Sequence, residues 1–421
     1  MERLIFHVDV NSAYLSWEAA KRVKAGEPDL RLVPSCIGGD PKTRRGIVLA
    51  KSIPAKKYDV KTGEPLSMAL RKCPNLIVAA PDFKLYSANS RAFKEICRGY
   101  TSLMEEFSID ECFLDFSGTS HIYPDPVALA TEIKDRIRDE LGFTVNVGIG
   151  RNKLCAKMAS DFEKPDKVHT LFPEEIPDKM WPLPVGDLLF IGKATASKLN
   201  RAQIKTIGDL AKADIAKLAA LLGEKSAHQA HAYANGIDNS PVRDTPEEAK
   251  GYSNSITTEE NITSLETANT ILLSLCDSVT EHMRSDGMRA NGVSVTIRYL
   301  DFKNRSHQTK LDYPTDSASV VYDTAKKLLT ELWKDKQPLR LMGVALTNVS
   351  KDTAAQQLSL FDEPDRQVKQ EKRERLDKAV SAIRGKFGFD AIQRGALINS
   401  DYGVGRKFKG KSEAERASDD S

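Results

Sequence analysis

Residues 107–116 read FSIDECFLDF and set Asp110 and Glu111 side by side in a run that is otherwise apolar and β-prone. Ionised acids are costly to bury and repel one another at close range. Neighbours on a flat strand point to opposite faces, so the two carboxylates can serve one site only where the backbone bends, as at a hairpin corner. Asp9, at the end of the stretch RLIFHVD, can meet them if its strand lies beside that hairpin. Three such acids would repel strongly unless divalent cations neutralised them, and all-oxygen ligation favours Mg2+ or Mn2+. The alternative is structural, with Asp110 capping a turn and Glu111 facing solvent.

Residues 3–9 form a strand and Asn11 to Lys24 has helical composition. Residues 30–80 make a small module of short β segments, a helix around PLSMALRKC and a strand LIVAA. From 82 to 160 the order is helix, strand, acidic pair, strand, helix, strand, helix, which with the first strand gives an antiparallel α+β sheet with helices on one face. Residues 174–240 are helical and turn-rich, and PVRDTPEEAK at 241–250 is a polar linker. Residues 251–350 spell β-α-β-β-α-β, the ferredoxin-like order. After Lys351 the chain turns polar, with QQLSLFDEPD, a charged helix from about 366 to 384, and a final KSEAERASDDS that reads as disordered.

The 421 residues suffice for two to four domains, and 40% hydrophobic content for packed cores. With 62 basic and 59 acidic residues the net charge of +3 does not by itself identify a nucleic-acid partner. The six cysteines, at 36, 73, 97, 112, 155 and 276, show no C-x-x-C spacing, which fits a reducing cytoplasm. The apolar stretch in MERLIFHVDVNSAY is too short for a signal peptide, and no later run approaches the ~20 apolar residues of a membrane span, so secretion and membrane insertion are not expected.

SIDECFLD at 108–115, DVNSAY after the first strand, VGIGRNKLCAKMASDFEKPD at 147–166, IPAKKYDVKTGEPLSMALRKCP at 53–74 and IGKATASKLNRAQIKTIGDL occur in an order that resembles the Y-family, or translesion, DNA polymerases over about residues 3–350. The resemblance implies an α+β, multidomain right-hand polymerase. Its parts would be a ferredoxin-like palm (1–11 and 80–168), small fingers (12–79), a helical thumb with a helix-hairpin-helix (169–240), a linker (241–250), a ferredoxin-like little finger (251–350), and a tail (351–421) with a clamp-binding peptide and the charged helix. The implied function is low-fidelity, template-directed synthesis past damaged DNA, acting on primed template and dNTPs, in a cytoplasmic monomer. A non-catalytic adaptor of the same fold, binding clamp and DNA, is the alternative.

By the same resemblance Asp9, Asp110 and Glu111 hold two Mg2+ ions, with the Val10 carbonyl as a further oxygen. Tyr14 falls at the steric-gate position that selects deoxynucleotides, its other reading being a core tyrosine. Lys164 matches the lysine on the triphosphate. Ile53 and Lys56 stand where tyrosine and arginine are frequent, and Ser12 where an aromatic is. Lys56 can supply charge without arginine's fork. Gly192 and Lys193 open a helix whose backbone N–H groups suit a DNA phosphate. Arg289, Arg298, Lys303, Arg305 and Lys310 surround the central hairpin of the C-terminal module, as expected if one sheet face rides the DNA backbone. Gln357, Leu358, Leu360 and Phe361 place large apolar side chains in a polar tail, which suggests a docking peptide and looks like the motif for the bacterial sliding clamp (β subunit). A tail that packs back on its own domain is the other reading. His228 and His231 are read as ordinary helix residues.

Overall fold

The computed structural model describes residues 2–39, 46–245, 247–351, 364–388 and 391–397, with backbone alone over 364–372. Two compact units result, one ending at Pro246 and one running from Glu247 onward.

The first unit contains β1 (Ile5–Val10), α1 (Ala13–Lys24), β2 (Ser35–Gly38), β3 (Val48–Lys51), α2 (Ile53–Lys56), α3 (Leu66–Lys72), β4 (Ile77–Ala79), α4 (Phe83–Arg98), β5 (Met104–Glu106), β6 (Glu111–Asp115), α5 (Pro126–Leu141), β7 (Val145–Gly150), α6 (Lys153–Ser160) and β8 (Val168–Leu171). Four helices follow: α7 (Lys193–Arg201), α8 (Ile207–Ala211), α9 (Ile215–Leu222) and α10 (Glu224–Ala234). Side-chain chemistry sets the helix ends. Asp125 accepts from the Val127 and Ala128 N–H groups with Pro126 at the first position of α5, and Gly142 closes that helix at φ 81°. Asn152 caps α6 through the Cys155 N–H.

The main sheet has the order β5-β6-β1-β7-β8, and the residue 30–80 module forms its own sheet, β3-β2-β4. Neighbours in the main sheet are antiparallel except β7 and β8, which are parallel. On one face Phe6, Val8, Leu114 and Ile149 pack with Phe93 and Ile96 of α4 and Ile133 and Ile137 of α5. On the other, Ile5 and Phe113 meet Ala156 of α6. The expectation of helices on one face is therefore corrected. Glycines in β7 are the reason, because a Cβ at Gly148 would lie 2.0 Å from the Ala156 carbonyl oxygen. Only a bare backbone lets α6 approach this closely.

The second unit contains β9 (Gly251–Ile262), α11 (Leu265–Ser285), β10 (Met288–Tyr299), β11 (Asn304–Thr315), α12 (Ala318–Leu332), β12 (Leu339–Thr347), β13 (Ser350–Lys351) and α13 (Pro364–Phe387). Its four long strands run β11-β10-β12-β9, all antiparallel. Val293, Val295, Ile297, Val344 and Leu346 pack with Ile271, Leu275 and Val279 of α11 and Val321, Ala325 and Leu329 of α12.

The charged helix expected in the tail is α13, and it docks on this unit. Arg384 Nη2 lies 2.7 Å from Asp277 Oδ2 of α11, and Arg394 bridges Asp277 (3.0 Å) and Asp377 (3.2 Å). Asp377 in turn accepts from Ser317 Oγ and the Ala318 N–H. Glu374, Asp377, Ser381 and Arg384 are spaced by three and four residues, which makes one stripe on the helix. The clamp-like residues Gln357, Leu358, Leu360 and Phe361 lie outside the described residues.

Candidate active site

β1 lies between the two strands that matter. Asp9 is the direct cross-strand partner of Glu111 on β6 and of Asn146 on β7. Cross-strand partners share a face, so both acids project toward α6. Asp110 precedes β6 in the hairpin corner, and its carbonyl accepts the Val10 N–H at 3.0 Å. The Phe107 and Ser108 N–H groups both donate to the Glu111 carbonyl, which fixes the bend. Ser108 Oγ holds the Asp110 carboxylate at 2.6 Å.

The three carboxylates adjoin but do not converge: among the described residues no three His, Cys, Asp or Glu side chains are grouped to hold a metal ion. Lysines neutralise two of them instead. Lys157 Nζ sits 2.5 Å from Glu111 Oε2 and 3.8 Å from Asp9 Oδ2. Lys164 Nζ bonds Asp9 and stands 2.7 Å from Asp161 Oδ1. The donor set of Asp9, Asp110 and Glu111 is hard oxygen throughout and suits Mg2+ or Mn2+ once those ammonium groups are displaced.

Electrostatics divides the acids. Burial raises the Asp9 carboxyl above its ordinary value, with Lys164 and Lys157 opposing. Burial also works against Glu111, but its contacts with His7 and Lys157 outweigh it and bring the group down to about 2. His7 is fully buried; its Nδ1 lies 2.8 Å from Ser160 Oγ, while Nε2 stands 3.0 Å from Glu111 Oε2 without an aligned hydrogen bond. Burial holds its imidazole below the usual pKa.

Tyr14 is half-buried at the start of α1, stacked on Tyr86 with ring centroids 4.7 Å apart and beside Trp17 and Phe83. Burial and the charge of Asp110 raise its phenol pKa. Ser12, just before it, holds a left-handed backbone at φ 51°. Ile53 and Lys56 begin and end the short α2, and both are exposed. Gly192 and Lys193 are exposed at the start of α7.

The basic residues of the C-terminal module do not share one face. Register pairs Arg298 with Asn304 and Gly292 with Lys310 on the face away from the helices, together with Ser294, Thr296, Ser306 and Gln308. Arg305 pairs with the buried Ile297, so it lies on the helix side, stacked on Tyr299 and 3.4 Å from Asp335. Lys303 is in the turn, 2.9 Å from Asp301. Arg289, expected on DNA, is nearly buried against Glu374 at 3.1 Å. The period of two along β10 and β11 explains why Arg298 and Arg305 lie on opposite faces, because residues one position apart face opposite ways.

Sequence reading missed His7, Lys157 and Asp161. Lys157 left one signal: a cation in the middle of a helix whose neighbours Leu154, Cys155, Ala156, Met158 and Ala159 are apolar and buried.

Comparison with known proteins follows this geometry. Residues 8–161 match the impB/mucB/samB family model, 249–360 its C-terminal domain, and 187–238 the thumb domain described for DNA polymerase-iota. A Clostridium acetobutylicum protein named DNA polymerase IV is 44% identical over 402 residues, covering 95% of this chain and 100% of that protein. DNA polymerase IV 1 of Bacillus subtilis is 37% identical, covering 97% and 96%. Among solved structures, a Y-family DNA polymerase chimera superposes with a TM-score of 0.71 at 23% identity, covering 83% of this chain and 100% of that one. The chain belongs to the Y family of DNA polymerases, alongside the bacterial proteins named DNA polymerase IV.

Proposed function

We propose that this protein is a template-directed DNA polymerase that transfers nucleotides from dNTPs to a primer 3′-hydroxyl with low fidelity, copying past damaged bases. The near-full-length identity to proteins named DNA polymerase IV supports the activity. The observation that carries the site is the cross-strand pairing of Asp9 with Glu111 beside a hairpin corner bearing Asp110.

Asp9, Asp110 and Glu111, with the Val10 carbonyl, would hold two Mg2+ ions, which when bound lower the pKa of the primer hydroxyl and neutralise charge on the leaving pyrophosphate. Lys164 and Lys56 offer ammonium groups to the triphosphate. The Tyr14 ring, held by its stack on Tyr86, would lie under the sugar and exclude a 2′-hydroxyl. For duplex binding, the start of α7 at Gly192 and Lys193 would present backbone N–H groups to a phosphate. On the open sheet face Arg298 and Lys310, set among serine, threonine and glutamine, suit a sequence-independent grip on the backbone. Gln357, Leu358, Leu360 and Phe361 would tether the enzyme to a bacterial sliding clamp, raising its effective concentration at the primer end. Six buried cysteines, none in a disulfide, suit action in a reducing cytoplasm. Among the described residues no helix is long and apolar enough to cross a membrane.

A non-catalytic adaptor would have no use for three carboxylates at one strand end, and the comparisons do not favour it. Purified protein with primed template, dNTPs and Mg2+ extends the primer on this reading. Asp110→Ala lowers that rate by about a thousandfold or more. Extension unchanged in the variant contradicts the assignment.

A further inference from the structure

We propose that Lys157 and Lys164 are internal stand-ins for the catalytic cations: they neutralise Asp9 and Glu111 until a nucleotide arrives, so that divalent metal enters together with the triphosphate. This rests on the reading of Asp9, Asp110 and Glu111 as the metal-holding acids.

The contacts fall on the oxygens a metal would need. Lys157 takes Glu111 Oε2, and Lys164 takes Asp9 Oδ2, from which Lys157 is also only 3.8 Å away. A metal ion reaching both oxygens must first move an ammonium group. The remaining charges nearby are Asp161, which touches both lysines at 2.7 and 3.6 Å, and His7 beside Glu111. Among the described residues, Asp110 is held by Ser108 and forms no ion pair with a lysine or arginine.

The lysines are tethered differently. Lys157 belongs to α6, whose backbone is packed against β7 at Gly148, and its side chain is only 14% exposed. Lys164 lies beyond the end of α6, and its side chain is 36% exposed. Lys164 is thus the cation a triphosphate can draw off, since phosphate oxygens offer it several charge-assisted bonds in place of one carboxylate. Its departure uncovers Asp9 for a divalent ion, which the same triphosphate also ligates. Lys157 stays and restrains Glu111. Metal and nucleotide affinities are then coupled, and by linkage each strengthens the other by the same factor.

The test measures metal binding rather than turnover. Mn2+ alone is titrated into full-length protein and free Mn2+ is read by electron paramagnetic resonance, with and without a non-hydrolysable dNTP analogue. Without nucleotide, Lys164→Met and Lys157→Met bind Mn2+ about tenfold tighter than the parent, as expected when one opposing charge within a few ångströms is removed. Lys157→Arg, which keeps the charge, stays near the parent, and the analogue tightens binding in the parent far more than in Lys164→Met. Lys164→Met, at an open position, carries the test even if Lys157→Met fails to fold. Methionine variants that bind Mn2+ no tighter than the parent, while Asp9→Asn weakens binding, overturn the stand-in role and leave the polymerase site intact. Unchanged Mn2+ binding and intact primer extension in Asp9→Asn overturn both.

Discussion

Two modules of this chain follow β-α-β-β-α-β and arrange their strands differently. Along β1-α4-β5-β6-α5-β7 the sheet reads β5-β6-β1-β7, so the first and third strands are central. Along β9-α11-β10-β11-α12-β12 it reads β11-β10-β12-β9, so the second and fourth are central and the first is at an edge. The hairpin pairs with itself in both; what differs is whether the first strand lies beside it. In the N-terminal module it does, and Asp9 reaches the acidic corner. In the C-terminal module β12 comes between, and no residue of β9 meets the β10–β11 hairpin. Coverage differs too. Every residue of β1 and β7 is buried between α4 and α5 on one side and α6 on the other, whereas β10 over 293–299 buries only alternate residues and leaves one face partly open. One order of elements gathers acids at a strand end in the first module and spreads a broad polar surface in the second.

Three experiments test that contrast. Asp277→Ala should have the largest effect, since it leaves the buried Arg384 and the partly exposed Arg394 without their shared partner. The C-terminal unit should lose about 3–5 kcal/mol, read by urea unfolding, with the N-terminal unit unaffected. A change below about 0.5 kcal/mol would return α13 to the status of a solvated tail.

Gly148→Ala comes next, forcing α6 off the sheet at a cost of about 2–3 kcal/mol. Gly343→Ala, in a central strand of the other module, brings its new Cβ to 3.0 Å from the Ser255 Cβ and should cost less, about 1 kcal/mol. Equal losses would mean that α6 is not packed more closely than its counterparts.

Smallest is the effect on DNA binding. Arg298→Ala, on the open face, should lower the salt dependence of duplex affinity by about one counterion, while Arg305→Ala, on the helix side, should change it little. The reverse result would put DNA on the helix layer.

Much of this was legible in the chain. The acidic pair in FSIDECFLDF called for a corner, and the corner is there with Asp9 opposite Glu111. The order of elements in the C-terminal module was equally plain, because period two and period 3.6 separate cleanly in VSVTIRYL and SASVVYDTAKKLLTELW. Strand order was not, since nothing local distinguishes a central first strand from an edge one. The second helix layer was missed because glycine in a β7 run reads as a weak strand rather than as a place for a helix to rest. Arg289 looked like a DNA contact because its partner Glu374 lies 85 residues later. The ion pairs of Lys164 with Asp9 and of Lys157 with Glu111 were missed for the same reason, their partners being 155 and 46 positions apart.

The central place of β1 also bears on how the protein comes into being. Its partners are β6 and β7, so the strand bearing Asp9 is synthesised well before either of them and cannot close its ladder until Gly150 has been made. During that wait an apolar strand has no mate, the circumstance in which a nascent chain relies on its surroundings to stay out of aggregates. Any product cut short before that point lacks the β7 half of the ladder that flanks Asp9, so the strand end is set only in the longer chain.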